Sequence, residues 1–131
     1  MKLLKFAILG FLLPLACFAD APLPGNFGLS PNTVLLAAST SSSNVLIPSC
    51  GVSAKCTSAR FRNTGSVDVF IAIAPTCTLA VAVIPTGSAQ TWGMDLAANS
   101  VETFSVPDGW CVAGITSSST ANVYITPGTG I

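Results

Sequence analysis

After residue 19, no window of eleven or more residues repeats its apolar positions at the period of about 3.6 that an amphipathic helix requires. Short runs rich in Val, Ile, Phe and Thr appear instead, each bounded by Gly, Pro, Asn or Ser. That punctuation marks strands and turns. Candidate strands at 33–38 and 45–47 are separated by "STSSSN", and a third at 59–62 sets Phe61 between Arg60 and Arg62. The turn "NTGS" leads into 67–74, where Val67, Val69, Ile71 and Ile73 share one face and Asp68, Phe70 and Ala72 the other. Residues 79–84 are apolar throughout, as in a strand covered on both faces. Beyond "PTGS" come a weaker candidate at 90–94, a short helical turn at 95–99 and a strand at 101–106. After the turn "PDG", strands at 110–116 and 122–126 finish the series. About eight short strands predict an all-β chain, a small β-sandwich or jelly-roll-like domain, with a small closed β-barrel as the alternative.

The chain ahead of these strands reads as an address. Lys2 and Lys5 precede an apolar stretch over 6–15, and Cys17 and Ala19 put small residues at −3 and −1 of a cleavage point before Asp20. This is the secretory signal pattern, so 1–19 is assigned as a signal peptide. Its apolar run falls short of the roughly 20 residues that span a bilayer. Acylation at Cys17, as in a lipoprotein, is the alternative anchor, although Pro14 and Leu15 fit a lipid-attachment box poorly. Residues 20–32, with Pro22, Pro24 and Pro31 among glycines, form an extended leader, and 33–131 the β-domain. The expected location is outside the inner membrane: periplasm, cell surface, medium or virion.

Removing 1–19 leaves Lys55, Arg60 and Arg62 against Asp20, Asp68, Asp95, Glu102 and Asp108, three cations against five anions, a net charge of −2. A chain so poor in positive charge has no electrostatic means of holding a polyanion, so nucleic-acid binding is not expected. Four cysteines remain, Cys50, Cys56, Cys77 and Cys111, an even set suited to two disulfides in an exported domain. Cys50 and Cys56 flank the short segment "GVSAK", Cys77 lies in the turn "APTCT", and Cys111 opens a late strand. Cys50–Cys56 with Cys77–Cys111 is the preferred pairing of the three that four cysteines allow. Closing the longer loop stabilises the fold by roughly 3–4 kcal/mol in the chain-entropy treatment. Zinc is the rival use of four thiols, but no two stand in a CxxC pair.

The chain contains no histidine, which removes the usual base of a serine nucleophile and the commonest metal ligand. A Ser–Lys pair would rest on Ser53 and Lys55 within the small loop, where a solvated lysine keeps its proton. The acidic residues are scattered singly, with no calcium-type cluster, and no phosphate-cradling glycine pattern opens a helix. The residues therefore point to a protein that is not an enzyme and holds neither cofactor nor metal.

Contact residues are more readily nominated. Trp92 follows a turn and Tyr124 stands in the last strand, both suited to stacking on a sugar, whereas Trp110 beside Cys111 reads as core. Arg60 and Arg62 form the one basic patch, read either as a solvated sheet edge or as a contact with another protein. Ser and Thr supply 28 of the 112 residues after Ala19, against 8 charged ones. Hydroxyls and apolar groups are cheaper to desolvate than charges, so such a surface favours protein–protein packing. An internal echo, "TSSSNVLIP" and "TSSSTANVYITP", reads as two similar hairpins.

The ordered pieces "LAASTSSSNVLIP", "ARFRNTGSVDVFIAI", "IPTGSAQTW" and "VETFSVPDGWCVAGITSSSTANVYITPGTGI" cover about three quarters of the chain. In that order they resemble small virion-associated β-proteins encoded in phage and prophage structural modules. The resemblance implies a capsid-decoration or accessory domain, and it carries over no catalytic residue. A signal peptide and four cysteines depart from a capsid built in a reducing cytosol. They suit a virus whose coat proteins cross the inner membrane, or a bacterial surface protein with the same domain. The sequence therefore predicts a structural protein of a virion or extracellular assembly, with homo-oligomer or assembly partners. A secreted adhesion or carbohydrate-binding module, with a glycan partner, is the alternative.

Overall fold

The computed structural model describes residues 27–51, 55–86 and 93–130. Every regular element among them is a strand: β1 (Gly28–Leu29), β2 (Val34–Ala38), β3 (Ser43–Leu46), β4 (Ser58–Asn63), β5 (Val69–Ala74), β6 (Met94–Leu96), β7 (Val101–Ser105), β8 (Cys111–Thr116) and β9 (Ala121–Thr129). They form two antiparallel sheets. One runs β2-β9-β4-β7, with β1 pairing the end of β9 beyond β2, and the other runs β3-β8-β5-β6. The pairs β2/β9, β3/β8, β4/β7 and β5/β6 are nested. The chain is thus one long antiparallel hairpin rolled into two sheets, which is the jelly-roll form of the β-sandwich. Two separate sheets set the closed barrel aside.

Alternation along each strand builds the core. Leu36, Ala38, Phe61, Val123 and Ile125 point inward from the first sheet, and Val69, Ile71, Leu96 and Val112 from the second. Phe61 is fully buried, and its ring meets that of Phe104 edge-on at a centroid distance of 5.2 Å. Among the described residues Ser30, Ser58, Asn63 and Thr116 are the buried polar side chains, and Asn63 makes the most hydrogen bonds of the four. Asn63 is 1% exposed; its Nδ2 donates to the carbonyls of Val67, Leu96 and Ala97, and its Oδ1 accepts from Gly65 N at 2.8 Å. It staples the β4–β5 turn to the β6–β7 turn, where Asn99 takes a left-handed φ of 56°.

The disulfides join Cys50 to Cys56 and Cys77 to Cys111, the pairing chosen from spacing. Two bridges fit an oxidising, exported setting.

Several sequence readings change. The echoed serine-rich segments are not hairpins: each carries the chain from one sheet to the other, β2 to β3 and β8 to β9. They lie side by side, with Thr116 N donating to Ser39 O at 2.8 Å. A local turn signal cannot say whether the next strand pairs in the same sheet, so the two connections look alike in sequence. Residues 95–96, at the start of the helical turn expected over 95–99, continue β6 from Met94, because pairing with β5 overrides local preference, and the turn itself is confined to 98–99. Within the presumed leader, Gly28–Leu29 pairs with β9, and the ring of Phe27 lies against Gly128. Finally, 79–84 lies in neither sheet. The signal segment, most of the leader, Ser53 and Trp92 lie outside the described residues.

Candidate functional site

Three surfaces of the sandwich hold candidate functional groups. The first is the outer face of the β2-β9-β4-β7 sheet. Inward Leu36, Val123 and Phe61 force their neighbours outward, and the ladder aligns Leu35, Tyr124, Arg62 and Val101 in one row across all four strands. Leu35, Tyr124 and Val101 are exposed at 46%, 41% and 47%. The adjacent row holds Thr126, Arg60 and Thr103, with Thr33 reaching Thr126 through a 2.9 Å hydroxyl contact. Arg60, Arg62 and Tyr124, nominated separately from sequence, therefore occupy one face. The edge reading of the arginines does not survive: β4 is flanked by β9 and β7 and is an interior strand.

The second surface covers the outer face of the other sheet. Ala72, Ala113 and Cys111 make that face flat and small-sided, and residues 77–84 cross it as a third layer. Cys77 anchors the layer to Cys111, and Asn44 Nδ2 donates to Cys77 O at 3.0 Å. Further along, Ala82 N donates to Ser42 Oγ at 3.0 Å. The buried side of this segment consists of Ala80 and Ala82, because only small residues let its backbone lie close to an alanine-lined sheet. Its large residues consequently point away. Leu79, Val81 and Val83 are exposed at 66%, 57% and 67%. The sequence reading had this run covered on both faces; one face is covered and the other is an apolar ridge. The missed signal was the alternation of Ala with Leu and Val, which hydrophobicity alone does not register.

The third surface is a cleft of about 510 Å³ beside the Cys50–Cys56 bridge, lined by Lys55, Thr57, Ser105, Pro107 and Asp108 among others. Asp108 Oδ1 is buried there without a hydrogen-bond partner among the described residues. Thr57 and Ser105 are the hydroxyl side chains among the described lining residues. Lys55 and Asp108 are its charged groups among the described lining residues.

Trp110 is half-buried and packs on the core, as its position beside Cys111 suggested. Among the described residues, no group of three or more His, Cys, Asp or Glu side chains could hold a metal ion, and no helix is long and apolar enough to cross a membrane.

The fold and its surfaces define a disulfide-bonded jelly-roll sandwich that displays large apolar side chains on both outer faces. No protein-family model, curated protein or solved structure matches the chain.

Proposed function

We propose that this chain is a non-enzymatic structural subunit of a virion or other extracellular assembly. The observation that carries the reading is the pair of apolar outer faces: Leu35, Tyr124 and Val101 on one, Leu79, Val81 and Val83 on the other. Large apolar side chains grouped on a water-facing surface mark interaction sites; Leu35 lies beside Tyr124 on one face, with Val101 across Arg62, and the other face carries the ridge. The hydroxyl-rich, charge-poor remainder is cheap to desolvate. Jelly rolls recur in viral capsid and lectin domains; that likeness is one of fold and assigns no residue a role. Mass spectrometry of particles purified from the producing cell tests the proposal. A processed chain beginning near Asp20, present at fixed copy number per particle, supports it. Absence of the chain from every particle fraction refutes it.

The exposed Tyr124 gives the adhesion reading one observation of its own, because an aromatic ring on a flat sheet face can stack on a sugar. A glycan array separates the two readings. Binding abolished by Tyr124→Ala or Trp92→Ala favours the adhesion module, and a blank array discards it.

A further inference from the structure

The two outer faces are complementary to each other. On the first sheet, apolar Leu35 and Tyr124 stand on β2 and β9, while Arg60 and Arg62 stand on β4. On the second sheet the apolar ridge is tied to the side of β3 and β8: Asn44 of β3 holds Cys77, Cys111 of β8 is bonded to it, and Ser42 ahead of β3 holds Ala82. Asp95 stands on the opposite edge strand, β6, paired with Phe70 on the outer side of that sheet. On both faces the apolar side chains stand over β2 and β9 or β3 and β8 and a charge follows beyond them, positive on β4 and negative on β6, with the exposed Val101 of β7 lying past the arginines.

We propose that the outer face of the β2-β9-β4-β7 sheet docks on the ridge-bearing face of a second copy of this chain, giving a head-to-tail stack. The inference rests on the assembly reading and deepens it by naming the partner. A simple translation of one copy onto the next sets Leu35 and Tyr124 on Leu79, Val81 and Val83, and brings Arg60 and Arg62 towards Asp95. Docking the arginine face on its own copy would offer Arg60 and Arg62 no carboxylate, since the two outer rows hold Leu35, Tyr124, Val101, Thr126 and Thr103 beside them. A contact between two different patches does not close on itself, so it propagates into a ring or an open stack.

Area sets the strength of one contact. Four strands about 4.8 Å apart, five residues long at about 3.3 Å each, present roughly 300 Å² in projection. Doubled for side-chain relief, this still falls below the ~800 Å² each partner buries in a standard interface. Each contact is therefore weak, and the stack gains strength from repetition or from a scaffold that holds copies together.

Sedimentation velocity of the exported, disulfide-bonded chain over a wide concentration range tests the proposal. The sedimentation coefficient should rise continuously with concentration, and the rise should diminish between about 0.05 and 0.5 M salt as the Arg–Asp attraction is screened. Arg60→Glu with Arg62→Glu, and separately Asp95→Arg, should each hold the chain monomeric, while an equimolar mixture of the two variants should associate again, because the exchanged charges are complementary. Val81→Lys should disperse the parent chain. A species that stops at dimer and ignores the arginine changes would overturn the stack in favour of ridge-to-ridge pairing. A monomer at all concentrations would overturn self-docking altogether. Either result leaves the particle analysis standing as the separate test of the assembly reading.

Discussion

Replacing Asn63 tests whether a single buried amide holds one end of the sandwich closed. Its two Nδ2 hydrogens are shared among three carbonyls at 2.9, 3.2 and 3.1 Å, and its Oδ1 takes the Gly65 N–H. The Ala97 carbonyl also accepts from Ser100 N and Ser100 Oγ, so it keeps partners when Asn63 is lost. The Val67 carbonyl and the Gly65 N–H have no other protein partner among the described residues. Leaving each unpaired costs about 1–3 kcal/mol when buried, and partial burial favours the low end. Asn63→Ala should therefore destabilise the fold by about 2–4 kcal/mol. For a domain near 100 residues, each kcal/mol lowers Tm by about 4–8 °C. Thermal and urea unfolding followed by circular dichroism read the loss directly. Asn63→Asp keeps the shape but turns an oxygen towards three carbonyls. The introduced carboxyl has its folded-state pKa raised by burial and by those carbonyls. The folded variant then binds the proton more tightly than the unfolded chain, so its stability is greatest below the unfolded carboxyl pKa of about 4 and falls as pH rises. An Asn63→Ala variant within 0.5 kcal/mol of the parent, or an Asn63→Asp variant with the parent's pH profile, would refute the staple.

Other parts of the structure give further expectations. Phe61→Ala should cost about 3–5 kcal/mol, because a fully buried ring is lost between the sheets; denaturant unfolding checks this. Replacing Cys77 and Cys111 together by Ala removes a bridge across 34 residues and should cost about 3–4 kcal/mol. It should also raise hydrogen exchange across 77–84, while β4 and β9 stay protected. Gly128→Ala places a methyl against the Gly28 carbonyl and the Phe27 ring. It should displace β1 and speed exchange near Ser30 N, which donates to Pro127 O, with little effect on the β3-β8-β5-β6 sheet.

The sequence made β2, β4, β5, β7, β8 and β9 and their inward faces legible, though not β1 or the start of β6, because alternation is a local property. Phe61 between two arginines, and Val69, Ile71 and Ile73 in step, declare their faces without any partner. Which strand pairs with which is non-local: the same Ser-rich turn can close a hairpin or cross between sheets, and only the nested pairing decides. The arginines and Tyr124 were visible as residues, but their shared row depends on a register between strands about sixty residues apart in the chain. The ridge was hidden for a different reason. Leu79, Val81 and Val83 carry the composition of a core strand, and their exposure follows from the alanines beneath them and from the Cys77–Cys111 anchor.

Covalent footprinting of the chain inside its purified particle, compared with the free chain, tests most directly whether the outer faces are contact surfaces. Loss of labelling at Tyr124 and along Leu79, Val81 and Val83 on assembly, with unchanged labelling at the exposed Asp68 turn, is the predicted pattern. Equal labelling of both faces in the particle and in the free chain would contradict the account.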